Sequence, residues 1–300
     1  MRTNHLLLQV QKLRNIFRAL CIRFSAWSRT TVVHNGRAPV SSVRTCRFCR
    51  GQTLHECIGP VPLTHSGALS NASYTLMHCT ACDVVYLDPL PSDIDLKVLY
   101  EKTDQFTGLT DSQSLSTLRV VRSYARRLRY LALLPKNGDS LLEVGAGVAW
   151  ISRVWKEHDA RARTVAQDVS DECSRSSPWV DHYHVGALPE LPREEYQLVS
   201  MTHVIEHLPA PEQTIALLRD YVRLGGHVYI TAPFRPPMWK TWKGIAPWLR
   251  YSYLHVPAHI SYLSKKWLSM CAKKNGFELV HWDNSHDGYQ VFEAVLRRRV

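Results

Sequence analysis

Asp139-Ser-Leu-Leu-Glu143-Val-Gly145-Ala-Gly147-Val-Ala149-Trp150 is the stretch on which the fold turns. Ser140–Val144 is a short apolar run of the kind that forms a buried strand, and Val148–His158 has helical periodicity. Between them, Gly145 and Gly147 allow a tight turn whose backbone can approach a ligand without Cβ interference. A strand, a glycine turn and a helix in immediate succession form the first unit of a parallel α/β sheet.

The pattern continues outward from this unit. Ala162–Gln167 reads as a second strand ending at Asp168, where a carboxylate can accept hydrogen bonds from both hydroxyls of a ribose. Gln197–Met201 reads as a strand, Glu212–Arg223 as a helix, and His227–Thr231 as a strand after the Gly225-Gly226 turn. The expected architecture is α/β: a doubly wound, Rossmann-like sheet with its ligand at the carboxyl ends of the strands. A dinucleotide fingerprint would need glycine at position 150, which is Trp150, so NAD is disfavoured.

Five segments in order carry a family resemblance. Leu141-Leu-Glu143-Val-Gly145-Ala-Gly147 resembles the first motif of class I S-adenosylmethionine-dependent methyltransferases, and Ala166-Gln167-Asp168-Val169-Ser170 resembles the end of their second strand. Tyr196 through Leu208, containing His203-Val-Ile-Glu206-His207, is similar to their fourth-strand motif. Leu224–Pro233 resembles the fifth-strand segment, and His259–Ser264 with Lys274–Glu278 resembles the stretch before the terminal hairpin. The resemblance implies that Gly145, Ala146 and Gly147 line the methionine part of S-adenosylmethionine. Glu143 would lie beneath that loop and help fix the amino group, while Asp168 holds the ribose. The family's third glycine is Ala149 here, and Gly186-Ala187-Leu188 offers no polar side chain for adenine, leaving backbone and apolar contacts.

Upstream lie two CxxC pairs, Cys46/Cys49 and Cys79/Cys82. Each two-residue gap lets backbone amides point toward the sulfurs, and two such turns present four thiolates to one tetrahedral zinc. With every ligand position filled by protein, such a zinc is structural. Free thiols in a reducing compartment are the alternative, and Cys57 is a spare that could enter the ligand set. Val84–Leu87, before the prolines at 89 and 91, reads as a strand leaving this module. A double CxxC with a Tyr-Leu-x-Pro-x-Pro exit resembles methyltransferases that carry an N-terminal zinc-binding module, some acting on nucleotide-linked sugars or other biosynthetic intermediates.

The expected organisation is a basic extension and linker (1–44), a zinc module (45–91), a helical connector (92–137) and a methyltransferase domain (138–300). Leu115, Leu118, Val121, Ala125, Leu128 and Leu131 should form the apolar side of the connector helix, opposite an arginine-rich face.

The 300 residues carry a formal charge of +11, yet the first 55 hold ten basic groups and no acid. The body is near neutral, which weakens a nucleic-acid reading of the overall charge. Leu6, Leu13, Phe17, Leu20 and Phe24 recur at helical spacing among Lys12, Arg14, Arg18 and Arg23. That pattern suits a helix on an anionic membrane surface, a mitochondrial transit peptide if the source is eukaryotic, or an extension without fixed structure. Otherwise a cytoplasmic location is expected.

Between Asp220 and Glu278 lie 57 residues without an acid. Within residues 233–258, Phe234, Trp239, Trp242, Trp248, Tyr251 and Tyr253 mix with Arg235, Lys240, Lys243 and Arg250. This stretch is expected to be a substrate lid offering aromatic faces and anion contacts, or else a packed insertion with a solvated rim. Methyl transfer to a hydroxyl benefits from a group that removes its proton, and His207 and His259 are the candidates, a structural loop histidine being the alternative for His207. The functional expectation is transfer of a methyl from S-adenosylmethionine to a small acceptor, at oxygen, on a sugar, lipid-linked or phenol-like molecule. A catalytically silent cofactor-binding or membrane-binding protein is the alternative.

Overall fold

A computed structural model describes residues 41–64, 73–92, 95–96, 114–237, 239–240, 244–286 and 290–299. The basic N-terminal helix and its proposed membrane contact lie outside these residues, as do much of the connector, Trp242 and Lys243.

Seven strands form the larger sheet: β5 (Ser140–Val144), β6 (Arg163–Asp168), β7 (His182–Val185), β8 (Tyr196–Thr202), β9 (Val222–Pro233), β11 (Phe277–His286) and β12 (Val291–Arg298). Their order is β11-β12-β9-β8-β5-β6-β7. The strands from β7 to β9 are parallel, whereas β12 runs antiparallel to both β9 and β11. The chain order reverses at β5, which lies between β6 and β8, so the carboxyl ends of these three strands surround the switch point.

Alternation along each strand sorts the core into two faces. Leu141, Leu198, Tyr229 and Val295 point to one side, where α1 (Leu115–Tyr130) and α2 (Trp150–His158) cover them. Leu142, Val144, Val199, Met201, Val228 and Ile230 point to the other, under α3 (Pro211–Leu218) and α5 (Lys265–Lys274). The Ser114 hydroxyl caps α1 by accepting from the Thr117 amide at 3.2 Å, and Arg127 and Arg129 sit in its last turn, where cations suit the helix dipole. Its buried stripe is Thr117, Val121 and Leu128, while Leu115 is exposed at the first turn.

The helix expected over Glu212–Arg223 stops at Leu218. Tyr221 turns inward so that its hydroxyl donates to the carbonyls of Leu188 and Leu191, at 2.7 and 3.0 Å, and Val222 already pairs with Tyr196. Burying that ring with its donor satisfied outweighs another helical turn.

The second sheet is antiparallel, in the order β1-β2-β3-β4-β10. Four strands, β1 (Ser42–Thr45), β2 (Gln52–Val61), β3 (Tyr74–Cys79) and β4 (Val85–Asp88), come from the cysteine region. The fifth, β10 (Ser261–Tyr262), comes from the far side of β9. Ser42–Thr45 pairs with β2, and the sheet of the cysteine region is completed by β10 from the catalytic half of the chain. Residues 39–300 form one compact unit.

Among the described residues, part of the aromatic stretch packs as core, as the second reading of the sequence expected. Trp248 and Tyr251, beside the short helix α4 (Ala246–Leu249), are buried against Tyr74, Leu76, Val85, Leu87 and Tyr262 under the second sheet. Phe234 packs on Trp282 and Phe292. The guanidinium of Arg235 is committed to Asp83, at 2.9 Å from its carboxylate and 3.0 Å from its carbonyl, and Lys240 reaches the same carboxylate at 2.9 Å. A sheet with one uncovered apolar face needs these rings as core, and their basic neighbours neutralise an internal acid. Arg250 is exposed, and Lys240, although it reaches Asp83, is exposed as well.

Candidate functional site

Gly145, Ala146 and Gly147 close the end of β5, and their backbone is held from the neighbouring strands. The Ala146 amide donates to the Gln167 carbonyl at 3.0 Å, and the Gly147 amide to the Asp168 carboxylate at 2.8 Å. The Gly147 carbonyl accepts from the Tyr183 hydroxyl at 2.8 Å, and that of Ala149 from the Trp179 indole at 2.7 Å. Gly145 has φ +60°, and a Cβ there would lie 2.4 Å from Cγ2 of Val204. Both conformation and space require glycine. Ala149, at the family's third glycine position, adopts φ 52°.

Glu143 is buried beneath this turn and caps α2 from the strand, because Ala149 has no side chain able to do so. One carboxylate oxygen accepts from the Ile151 amide at 3.2 Å, and the other from the Ser152 amide and hydroxyl, both at 2.8 Å. Burial pushes its pKa up to about 7, against the pull of the Ser152 and Ile151 hydrogen bonds. The carboxylate thus supports the loop through the helix it caps.

Asp168 accepts from Gly147 with one oxygen and from the Ser170 amide, at 3.1 Å, with the other. Each oxygen retains a lone-pair direction for a ligand hydroxyl. Gln167 braces the same wall, with its Nε2 donating to the Gly186 carbonyl at 2.6 Å.

These elements border a cavity of about 500 Å³. Gly145, Gln167 and Asp168 form one wall, Ala187, Leu188 and Pro189 another, and His203 and His207 a third. A volume of this order and a mainly apolar lining with few polar groups are typical of a cofactor-plus-substrate pocket. None of the described residues of the 233–258 stretch lines it.

The third wall is rich in imidazole. His203, in a left-handed conformation with φ 54°, and His207 both line the cavity. Glu206 between them is wholly buried, with Oε1 3.6 Å from His203 Nδ1 and 3.8 Å from His207 Nε2. Burial opposes charge on Glu206, but the His203 and His207 rings outweigh it and draw its pKa down to about 2. His207 donates from Nδ1 to the Ala258 carbonyl at 2.8 Å, and His259 from Nδ1 to the Tyr253 carbonyl at 2.7 Å. The two rings meet edge to face with centroids 4.8 Å apart. His259 lies behind His207 rather than on the cavity surface, and burial lowers its pKa to about 3, keeping the ring neutral.

Outside the pocket, the four cysteines of the CxxC pairs converge, with all four sulfurs within 4.8 Å of one another. Cys46 and Cys82 are 3.8 Å apart, and Cys49 and Cys79 are 3.9 Å apart. Tetrahedral coordination with Zn–S bonds of about 2.3 Å places sulfurs ~3.8 Å apart, so the arrangement fits zinc. The two turns are built alike. The amide of the residue after each second cysteine, Arg50 or Asp83, donates to the carbonyl of the first cysteine at 2.8 Å, and both adopt φ 62°. Hydrogen bonding from Cys82, with help from the Cys49 and Phe48 amides, draws the Cys46 thiol down to about 4 against burial. Cys57 is not in the cluster.

Gln167 and Val204 were not singled out from the sequence as site residues, whereas His203 and Glu206 were noted within His203-Val-Ile-Glu206-His207 as a variation on a divalent-ion-binding cluster. His203, Val204 and Glu206 lie within the fourth-strand motif and Gln167 within the second-strand one, so position was the available signal. Their roles depend on contacts across strands.

Residues 117–282 match a family model described as a methyltransferase domain. No curated protein matches the chain. Among solved structures, 1,6-didemethyltoxoflavin-N1-methyltransferase of Burkholderia thailandensis is 14% identical, with a TM-score of 0.50, over 81% of this chain and 100% of that one. An S-adenosylmethionine-dependent methyltransferase of Mesorhizobium loti is 14% identical, with a TM-score of 0.46, over 59% and 100%. Magnesium protoporphyrin IX methyltransferase of Synechocystis with bound S-adenosylhomocysteine is 16% identical, with a TM-score of 0.45, over 60% and 82%. Identities this low bear on the fold alone. The family match spans more than half of the chain, from α1 into β11, and takes in the glycine turn, Asp168 and the histidine-lined wall: the chain belongs to the methyltransferase-domain family and is an S-adenosylmethionine-dependent methyltransferase.

Proposed function

We propose that the protein methylates a small biosynthetic acceptor at oxygen, and that its four-cysteine cluster holds a structural zinc. The observation that carries the first part is that His203 and His207 line the same cavity as Gly145 and Asp168. S-adenosylmethionine, when bound, supplies a methyl made electrophilic by the sulfonium. Gly145, Ala146 and Gly147 would hold its methionine part, Asp168 its ribose, and Ala187-Leu188-Pro189 would pack on adenine. Glu143 serves by keeping the turn in place through α2. The chain's remaining task is to hold an acceptor in line and favour loss of its proton. His207 is proposed for this because it lines the cavity with its ring orientation set by Ala258, and His259 backs that ring.

The solved neighbours include proteins named for small aromatic or macrocyclic acceptors, which agrees with an acceptor of that size. S-adenosylhomocysteine should bind the full chain in a calorimetric titration, and a panel of hydroxylated acceptors should yield methyl ethers by mass spectrometry. Absence of S-adenosylhomocysteine binding by folded protein would overturn the cofactor assignment. Transfer to nitrogen or carbon alone would overturn the oxygen assignment. For zinc, metal analysis should find a bound equivalent that Cys79→Ser loses; its retention would refute the ligand set.

A further inference from the structure

We propose that the outward face of helix α1 is a docking surface for an anionic lipid bilayer, engaged through Arg119, Arg122, Arg126 and Arg129. The inference goes beyond the methyltransferase reading, and lipid binding can be measured without turnover.

Between Leu115 and Tyr130 the helix carries five arginines and no acid. Arg127 is spent internally, on the buried Glu293 and on Asp283. The other four are exposed, and none of them has an acidic partner among the described residues. Their spacing of three, four and three residues sets them in one row. At about 100° per residue they fall within a sector of about 80°, opposite the buried stripe of Thr117, Val121 and Leu128. The row is ~15 Å long, at ~1.5 Å of rise per residue. With Ala125, the four arginines also border one open surface hollow. Neighbouring side chains in such a row stand ~5–6 Å apart, and like charges at that spacing oppose the helix. A surface of many anions offsets this repulsion at every position at once, and lipid phosphates match the planar donor fork of a guanidinium.

The ends of the row decide which polyanion fits. Leu115, 74% exposed, and Tyr130, 75% exposed, lie at its two ends on the same side of the helix. A leucine and an aromatic ring flanking a row of cations suit the boundary between head groups and acyl chains. Single-stranded nucleic acid calls instead for a groove with rings on which bases stack. Here the row stands on a convex helix, and between the arginines this side carries Ser123 and Ala125 rather than a ring.

Full-length wild-type protein should sediment with vesicles of equal parts phosphatidylserine and phosphatidylcholine, and not with phosphatidylcholine alone. A basic residue near such a surface contributes roughly fivefold in partitioning, so a variant combining Arg119→Gln, Arg122→Gln, Arg126→Gln and Arg129→Gln should bind at least about tenfold more weakly. Lysine at the same four positions keeps the charge and should keep most of the binding. Glutamine at four exposed basic positions elsewhere, Arg219, Arg250, Lys266 and Arg297, lowers the net charge equally and should leave binding unchanged. Leu115→Ser with Tyr130→Ser should weaken vesicle binding as well. Circular dichroism checks that each variant is folded. The basic segment 1–55 is present in every variant, so binding that it alone produced would show no difference between wild type and the row variant, which would overturn the proposal. Equal loss in the control variant, or no preference of wild type for phosphatidylserine, would also overturn it. RNA that displaces the vesicles and is itself released by the four glutamine changes would assign the row to nucleic acid instead.

Discussion

The indole N–H of Trp267 donates to the carbonyl of Phe48 at 3.0 Å, joining helix α5 to the turn between Cys46 and Cys49. Ser264, which caps the same helix by accepting from the Trp267 amide at 2.9 Å, donates its hydroxyl to the Cys82 carbonyl at 2.5 Å. Both cysteine turns are thus fastened to one helix of the catalytic domain. Farther along, Ile260 accepts from the Leu87 amide at 2.9 Å and donates to the Glu206 carbonyl at 2.8 Å. A short backbone path therefore runs from the cysteine sheet to the histidine wall.

Substituting Trp267→Phe removes the donor and leaves a buried carbonyl unpaired. A loss of about 1–3 kcal/mol of stability is expected. Denaturation followed by circular dichroism and by metal release should show one coincident transition, shifted to lower denaturant. Two separated transitions would show that the cysteine region and the catalytic sheet unfold independently.

Gly145→Ala should damage the cofactor turn through both φ +60° and the 2.4 Å approach to Val204. We expect at least tenfold weaker S-adenosylhomocysteine binding by calorimetry. Adding Val204→Ala should recover part of the loss, with a coupling of about 0.5–3 kcal/mol in a double-mutant cycle. Strict additivity would mean that the Val204 contact does not matter.

Asp168→Asn keeps the shape of the side chain but removes its charge and one acceptor. Hydrogen bonds to a charged group contribute ~1.5–3 kcal/mol, so S-adenosylhomocysteine should bind about 10–100-fold less tightly. Methylthioadenosine, which has the ribose but no amino acid, should lose affinity by the same factor. If methylthioadenosine binding were unaffected, the ribose role would move elsewhere.

Glu143 should give a distinct pH signature. Its folded pKa of about 7 lies above the ordinary 4.5, so the folded protein keeps that proton where the unfolded chain releases it. The associated stability is fully present below pH 4.5 and is lost as pH rises through 7. The stability difference between wild type and Glu143→Gln should therefore fall by about 3 kcal/mol across that window. Urea titrations at several pH values would check this, and a flat difference would place the folded pKa near that of an ordinary carboxylate.

Much of the catalytic sheet was legible because its signals are local. Ser140–Val144 is apolar and short, Gly145 and Gly147 permit a turn that other residues resist, and Asp168 ends the next strand. The paired cysteines were legible for the same reason, since two-residue spacing makes each turn a unit in itself. Trp248 and Tyr251 allowed two readings because an aromatic, basic segment looks alike as a lid and as a core, until a sheet with an uncovered face is present for it to cover.

By itself the sequence determined the strand–turn–helix unit, the succession of strands and the cysteine turns, all products of short-range sterics and periodicity. Only the tertiary structure decided that Ser261–Tyr262 completes the cysteine sheet, that Arg235 spends its charge on Asp83, and that His259 sits behind His207 beside the buried Glu206. Those relationships join residues as much as 177 positions apart, as between Tyr262 and Val85. They arise where packing and buried charge must be satisfied together, which no local stretch can specify.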